Sequence, residues 1–212
     1  MNFSLDRDLL AWEPGVFRDV PFAAQERERV VDGELAGTTL SSVSADFEGA
    51  GVEAGSVVLV DRVAYEVMSR EEGQTLTVSR PRARLADAAL PGDDGEGLTV
   101  VARTFAPQAA LVRDGLLRLL GIDPDATGLG LTADAVVSLS VMARLEAVGT
   151  LERVYSGAVA LTGENEGLRA KADAYRRRFR EAVAGASVLV DVDGDGYADE
   201  RRHLGLVRLA RV

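Results

Sequence analysis

The densest chemistry in the chain lies near its end, in Asp191-Val192-Asp193-Gly194-Asp195-Gly196-Tyr197-Ala198-Asp199. Carboxylates at alternate positions followed by glycine match positions 1, 3, 5, 6 and 9 of a calcium loop. In such loops the carboxylates converge on one ion and the glycine permits a sharp turn. Asp191, Asp193, Asp195 and Asp199 are therefore the candidate metal ligands. Two features point away from calcium. Position 12, where such loops place a bidentate glutamate, holds Arg202, and the residues before the loop read as a strand instead of a helix. Asp-Gly pairs are also favoured in tight hairpin turns, so the segment reads as a turn as well. Any calcium affinity is expected to be weak, on the order of 10⁻⁴ M or poorer.

The next cluster is cationic: Arg169, Lys171, Arg176, Arg177, Arg178 and Arg180 share one helical stretch. Glu164, Glu166, Asp173 and Glu181 are interleaved with them, which fits a solvated helix face better than a grip on phosphates. His203 is the one histidine and has no serine or metal-ligand pattern beside it. Trp12, next to Pro14 and Phe17, reads as a packing anchor or as an interface anchor. A glycine-rich phosphate loop, a His-Glu-x-x-His helix and a Gly-x-Ser-x-Gly elbow are all missing from the sequence. The expectation is a protein that is not an enzyme and that carries no cofactor, weak calcium aside.

Composition narrows the classes further. The chain has 212 residues, room for one large domain or two small ones, and no cysteine, which removes disulfides and thiolate sites. No apolar run approaches the roughly 18 residues that cross a bilayer, so no membrane partner is expected. The opening residues lack the basic and apolar regions of a secretory signal. The net charge is −10. Residues 1–105 hold 10 basic against 19 acidic side chains, and the remainder 14 against 15. Such a chain lacks a basic patch for tight DNA binding, though it can surround DNA without gripping it. Lys171 is the single lysine among 24 basic residues, and arginine's planar fork suits partner interfaces.

These residues must be positioned by recognisable elements. Residues 4–11 read as a short helix ended by Pro14-Gly15. From about residue 27 to 80 the text is strand-like, with Thr38–Leu40, Ser56–Val60, Val63–Met68 and Thr75–Ser79 separated by turn signals that include Asp32-Gly33. Residues 81–97 read as a loop, followed by a strand over Leu98–Ala102. Three helices are expected after Pro107. The first covers about 107–120, with Leu111, Leu116, Leu119 and Leu120 on one side. The second covers 133–161, capped by Thr132, with a stripe from Val137 to Ala158 in which Gly149 marks a kink or a close contact. The third covers 164–184, with Leu168, Ala172, Tyr175, Phe179 and Ala182 as its stripe. Ser187–Val190 and Leu204–Leu209 are expected to pair as a terminal hairpin. The fold class is therefore α+β: a small β-barrel or sandwich domain over 1–105, then a helical bundle over 106–212 ending in a β-hairpin or extended tail.

The C-terminal half resembles a known family. A long helix, then Leu168-x3-Ala172-x2-Tyr175-x3-Phe179, then Leu189-Val-Asp-Val-Asp-Gly-Asp-Gly196 and the ending Gly205-Leu-Val-Arg208-Leu-Ala-Arg211, resemble the head–tail adaptor (head-completion or connector) proteins of tailed bacteriophages and gene transfer agents. The resemblance implies a structural virion protein of the neck. Such a protein is made in the host cytoplasm and forms a ring, in this family a dodecamer, on the portal protein. Other neck or tail proteins adjoin it, and double-stranded DNA passes through without sequence-specific binding. An N-terminal β-domain departs from the smallest, all-helical members. The apolar ending, with Leu204, Leu206, Arg208, Leu209 and Arg211, is the candidate partner-binding segment, able to add to a neighbour as a strand. The alternative reading is a calcium-dependent binding module that works through residues 191–199.

Overall fold

The computed structural model describes residues 2–126, 130–163 and 165–205. It mixes helix and strand, and its chain divides into two compact units. One is Leu5–Ala106; the other joins the residues before Leu5 to those from Pro107 onward.

The first unit is built on a closed, six-stranded antiparallel barrel. Its strands are β1 (Gln25–Ala36), β2 (Thr39–Ser41), β3 (Val57–Val60), β4 (Val63–Glu72), β5 (Thr75–Ser79) and β6 (Gly95–Thr104), in the order β1-β2-β5-β4-β3-β6, with β6 returning to β1. Closure leaves no unpaired strand edge in the sheet. Leu35, Leu40, Phe47, Val58, Val67, Leu76, Val78 and Val100 fill the interior. β3 is buried at all four positions because α1 (Asp6–Trp12) and α2 (Val16–Asp19) cover its outer face. A strand buried on both faces reads as an unbroken apolar run, which is what Val57-Val58-Leu59-Val60 is.

Two sequence expectations change here. Asp32-Gly33 is no turn: β1 runs through it, and the register with β6 shifts between Val30 and Gly33. A bulge bends the strand at that point, and Gly33 is needed because an added Cβ would stand 2.5 Å from Val100 Cγ2. The loop expected to reach residue 97 ends earlier, since β6 already begins at Gly95.

Among the described residues, the second unit holds three α-helices and a small sheet. The helices are α3 (Ala106–Leu119), α4 (Leu139–Thr162) and α5 (Glu166–Gly185), and the two-stranded sheet is β7 (Ser187–Val190) with β8 (Glu200–His203). Pro107 sits in the first turn of α3, where its missing N–H costs nothing. The face of α3 that packs is Ala109, Leu116 and Leu117, with Leu120 just beyond, whereas Leu111 and Leu119 are exposed. α4 starts six residues later than its periodicity indicates. Ala133–Ala135 form a 3₁₀ turn, after which Val136 bridges Val190 and the Val137 N–H donates to the Leu189 carbonyl at 2.9 Å. Capture by β7 thus holds Val136 and Val137 extended. Gly149 is a close contact: an added Cβ would lie 2.7 Å from Val112 Cγ1 and 2.8 Å from Phe179 Cε2. Asn165 caps α5 by accepting from the Leu168 N–H at 3.1 Å.

The hairpin also differs from expectation. β7 pairs with residues 200–203, in the register Ser187 with His203 and Val190 with Glu200, and not with 204–209. The sheet closes sooner because Leu204 turns into the core of this unit, 6% exposed, among Leu116, Met142, Val188 and Val190. Leu206, Val207, Arg208, Leu209 and Arg211 lie outside the described residues.

Candidate functional site

β7 delivers the chain directly into the aspartate loop, and β8 takes it out again, so the sheet fixes both ends of residues 191–199. Gly194 and Gly196 have φ of 82° and 88°, a region that favours glycine. The carboxylates organise the loop by accepting its own amides. Asp191 accepts from Gly194 at 2.7 Å and from Gly196 at 2.8 Å. Asp193 accepts from Asp195 at 3.1 Å, and Asp195 from Tyr197 at 2.8 Å. Asp199 accepts from Val192 at 2.7 Å and from Asp193 at 3.3 Å. The amides of Gly196 and Gly194 hold the Asp191 carboxyl below the ordinary aspartate range.

One oxygen from each of Asp191, Asp193 and Asp195 falls within 4.8 Å of the others. Three of the four candidate ligands therefore meet, and Asp199 is not in that group. The three oxygens suit a hard cation. The residue at the twelfth position is turned to another task. Arg202 bonds the Leu120 carbonyl and pairs with Glu200 at 2.9 Å, tying β8 to the end of α3. The donor set is thus three aspartates without the bidentate glutamate that completes a calcium loop.

The remaining sequence candidates are placed as follows. Lys171 lies over the Tyr155 ring at 5.2 Å, Arg178 over the Tyr175 ring at 5.3 Å, and Arg176 pairs with Asp173 at 3.2 Å and Glu152 at 3.5 Å. Half of the cationic cluster is thereby engaged with its own helix pair. His203 is exposed on β8, and Trp12, at the end of α1, is 41% exposed. Leu204 is buried, as described above.

Two buried carboxylates, Glu66 and Glu146, and the half-buried Asp6 carry no mark in the local sequence. Glu66 on β4 accepts from Arg7 Nε on α1 and, at 2.7 Å, from Arg82 Nε. Its neighbour contacts extend further, with the Arg82 N–H donating to Glu66 at 2.9 Å and Arg7 donating to the Arg82 carbonyl at 3.1 Å. Burial alone pushes the Glu66 carboxyl up, but the hydrogen bonds from Arg82 and Arg7 outweigh it and hold it below its usual value. Glu146, fully buried on α4, accepts from the N–H groups of Phe3 (3.0 Å) and Ser4 (2.9 Å) and from the Ser4 hydroxyl (2.7 Å). Burial pushes its carboxyl up despite those bonds. Asp6 is likewise raised by burial while accepting from the Phe105 N–H at 2.9 Å. Each of these groups anchors a distant segment, and their hydrogen bonds are spent on the fold.

Clefts occur on both units. One of about 640 Å³ on the outer wall of the barrel is lined by Arg18, Arg29, Arg62 and Arg103 over Leu59 and Val101. Arg18 is paired with Asp19 at 2.9 Å and Arg29 with Glu26 at 2.7 Å, so part of that charge is already met. Comparison with protein-family models, with curated proteins and with solved structures finds no match.

Proposed function

We propose that the chain is a structural protein of a tailed-phage neck, a head–tail adaptor or connector that forms a ring on the portal protein around the DNA channel. In this reading a β-barrel domain precedes a helical adaptor domain whose terminal sheet faces partners. The observation that carries it is the order of elements from α4 to β8. The Ala172 and Tyr175 stripe of α5 packs on α4, with the Tyr155 and Tyr175 rings stacked at 5.6 Å, and β7 with its acidic loop follows directly. That is the order in which the resemblance is written. The acidic balance of the chain supports passage of DNA without capture. The test is co-purification with the cognate portal and mass measurement of the product. A ring of many copies bound to the portal is the expected result. Absence of any complex across a range of salt concentrations overturns the reading.

A second reading, a calcium-dependent binding module, is favoured by one observation, the meeting of Asp191, Asp193 and Asp195 oxygens within 4.8 Å. Linkage separates the two. A site with Kd on the order of 10⁻⁴ M contributes about 1.4 kcal/mol at about 1 mM calcium, whereas a site a hundredfold tighter contributes about 4.1 kcal/mol. Melting of the purified chain in chelator and in calcium reads this difference. The neck reading expects the smaller shift or none. A large shift abolished by Asp193→Ala establishes the module instead.

A further inference from the structure

Among the described residues, β8 is an open edge of its two-stranded sheet. The Leu204 N–H donates to the Ala186 carbonyl at 3.2 Å, in register with the pairing of β7 and β8. Antiparallel strands alternate residues that bond the neighbour with residues that face away. That alternation turns Glu200 and Arg202 toward β7 and the backbone of Arg201 and His203 outward. β7 obeys the same alternation and its outward groups are taken: the Leu189 carbonyl accepts from Val137, and the Asp191 N–H donates to Ala135 at 2.8 Å. The outward N–H and carbonyl groups of Arg201 and His203 have no partner among the described residues.

A groove of about 550 Å³ runs along this edge. Residues from Glu200 to Gly205 form one wall, and Arg118 to Gly121 at the end of α3 form the other. Leu119 in that wall is 56% exposed. The charge is lopsided: Arg118, Arg201 and Arg202 stand against Glu200, and since Arg202 pairs with Glu200 at 2.9 Å and Arg118 with Asp125 at 3.3 Å, Arg201 is the guanidinium of the groove without an ion pair among the described residues. Arg201 and His203 are both exposed on the same face of β8.

We propose that this groove receives an extended, acidic segment of a partner protein, which adds beside β8 as a third strand. Main-chain bonds to Arg201 and His203 supply affinity, and alternation supplies specificity. Acidic side chains on the incoming strand stand beside Arg201 and His203, and the intervening apolar ones face Leu119. Here the chain accepts a strand, which is distinct from donating its own ending to a neighbour, and the site does not depend on the neck reading.

The probe is a short capped peptide alternating glutamate and valine, with a lysine–valine peptide as control, titrated into the full chain by calorimetry and amide NMR. The acidic peptide is expected to bind, more weakly as salt is raised, and to shift the amides of Arg201 and His203. His203→Pro removes an N–H that the fold does not use and is tolerated on an edge strand. It should leave melting unchanged and weaken binding by about tenfold or more, the loss of about 1.4 kcal/mol. Arg201→Glu, at an exposed position, should reverse the preference between the two peptides, and it decides the matter should His203→Pro not fold. Equal binding of both peptides, no binding, or full binding by a folded His203→Pro chain overturns the proposal. Self-association that is lost in His203→Pro, without peptide binding, assigns the edge to a second copy and overturns the acidic partner.

Discussion

At the residue scale, Glu66 and Glu146 are buried carboxylates with opposite electrostatic fates. Glu66 meets two guanidinium groups and sits below its ordinary value of 4.5, while at Glu146 burial outweighs the neutral donors of Ser4 and Phe3 and the Arg113 charge, and it sits above that value. The consequences for stability have opposite sign. Glu66 contributes stability that is present above about pH 4.5 and lost as pH falls through its lower folded value. Glu146 holds its proton more tightly when folded, so its contribution is present below about pH 4.5 and declines as pH rises through its higher folded value. Glu146→Gln should therefore flatten the part of the stability–pH curve above 4.5 and leave the acid limb unchanged. Glu66→Leu strands Arg7 and Arg82, 7% and 4% exposed at their side chains. It should destabilise by about 3–5 kcal/mol, the scale of breaking a buried ion pair from one side. Denaturant titrations across pH check both. Neither glutamate was legible beforehand: the residues they hold lie 59 and 142 positions away in the sequence, and no local pattern marks such pairs.

At the element scale, Gly149 decides how closely α4 approaches its neighbours. A methyl there meets Val112 and Phe179, both partly buried against the same core. Gly149→Ala gains helix propensity of about 1 kcal/mol. It also forces the packing apart, typically at a cost of about 1–3 kcal/mol. The expected net result is a loss of up to about 2 kcal/mol, read as a lower chemical-denaturation midpoint with an unchanged slope. Elements whose signal is local were readable in the sequence. The arms of the β3–β4 hairpin, the start of α3 at Pro107 and the stripe of α5 all follow from residues near one another. Elements defined by a distant partner were not. β1 begins with Gln25-Glu26-Arg27-Glu28-Arg29, which shows no apolar alternation, and it is strand because β6 pairs with it. Val137 begins the helical stripe read for α4 and Val136 lies within its expected span, yet β7 claims both. In the candidate metal site the spacing singled out Asp191, Asp193, Asp195 and Asp199, of which the first three bring oxygens within 4.8 Å of one another, while the employment of Arg202 at the Leu120 carbonyl needed the fold.

At the scale of the whole molecule, the question is where the folded core ends and the partner-binding segment begins. Leu204 belongs to the core of the second unit by burial and by its bond to Ala186. The expectation for Leu206, Arg208, Leu209 and Arg211 is docking onto a neighbour, and it can now be separated from the core. A chain ending at Gly205 keeps every described core residue. It should melt near the full-length value by circular dichroism, yet fail to co-purify with the portal if the removed residues dock. A chain ending at His203 loses Leu204 as well, leaving a gap among Leu116, Met142 and Val188. Deleting a buried leucine costs about 2–5 kcal/mol, so this shorter chain should melt measurably lower. If the chain ending at Gly205 unfolds, residues 206–212 are core and the docking role is wrong. If it folds and binds the portal as the full chain does, those residues are dispensable and any docking rests elsewhere, with the β8 edge as the surface then left to test.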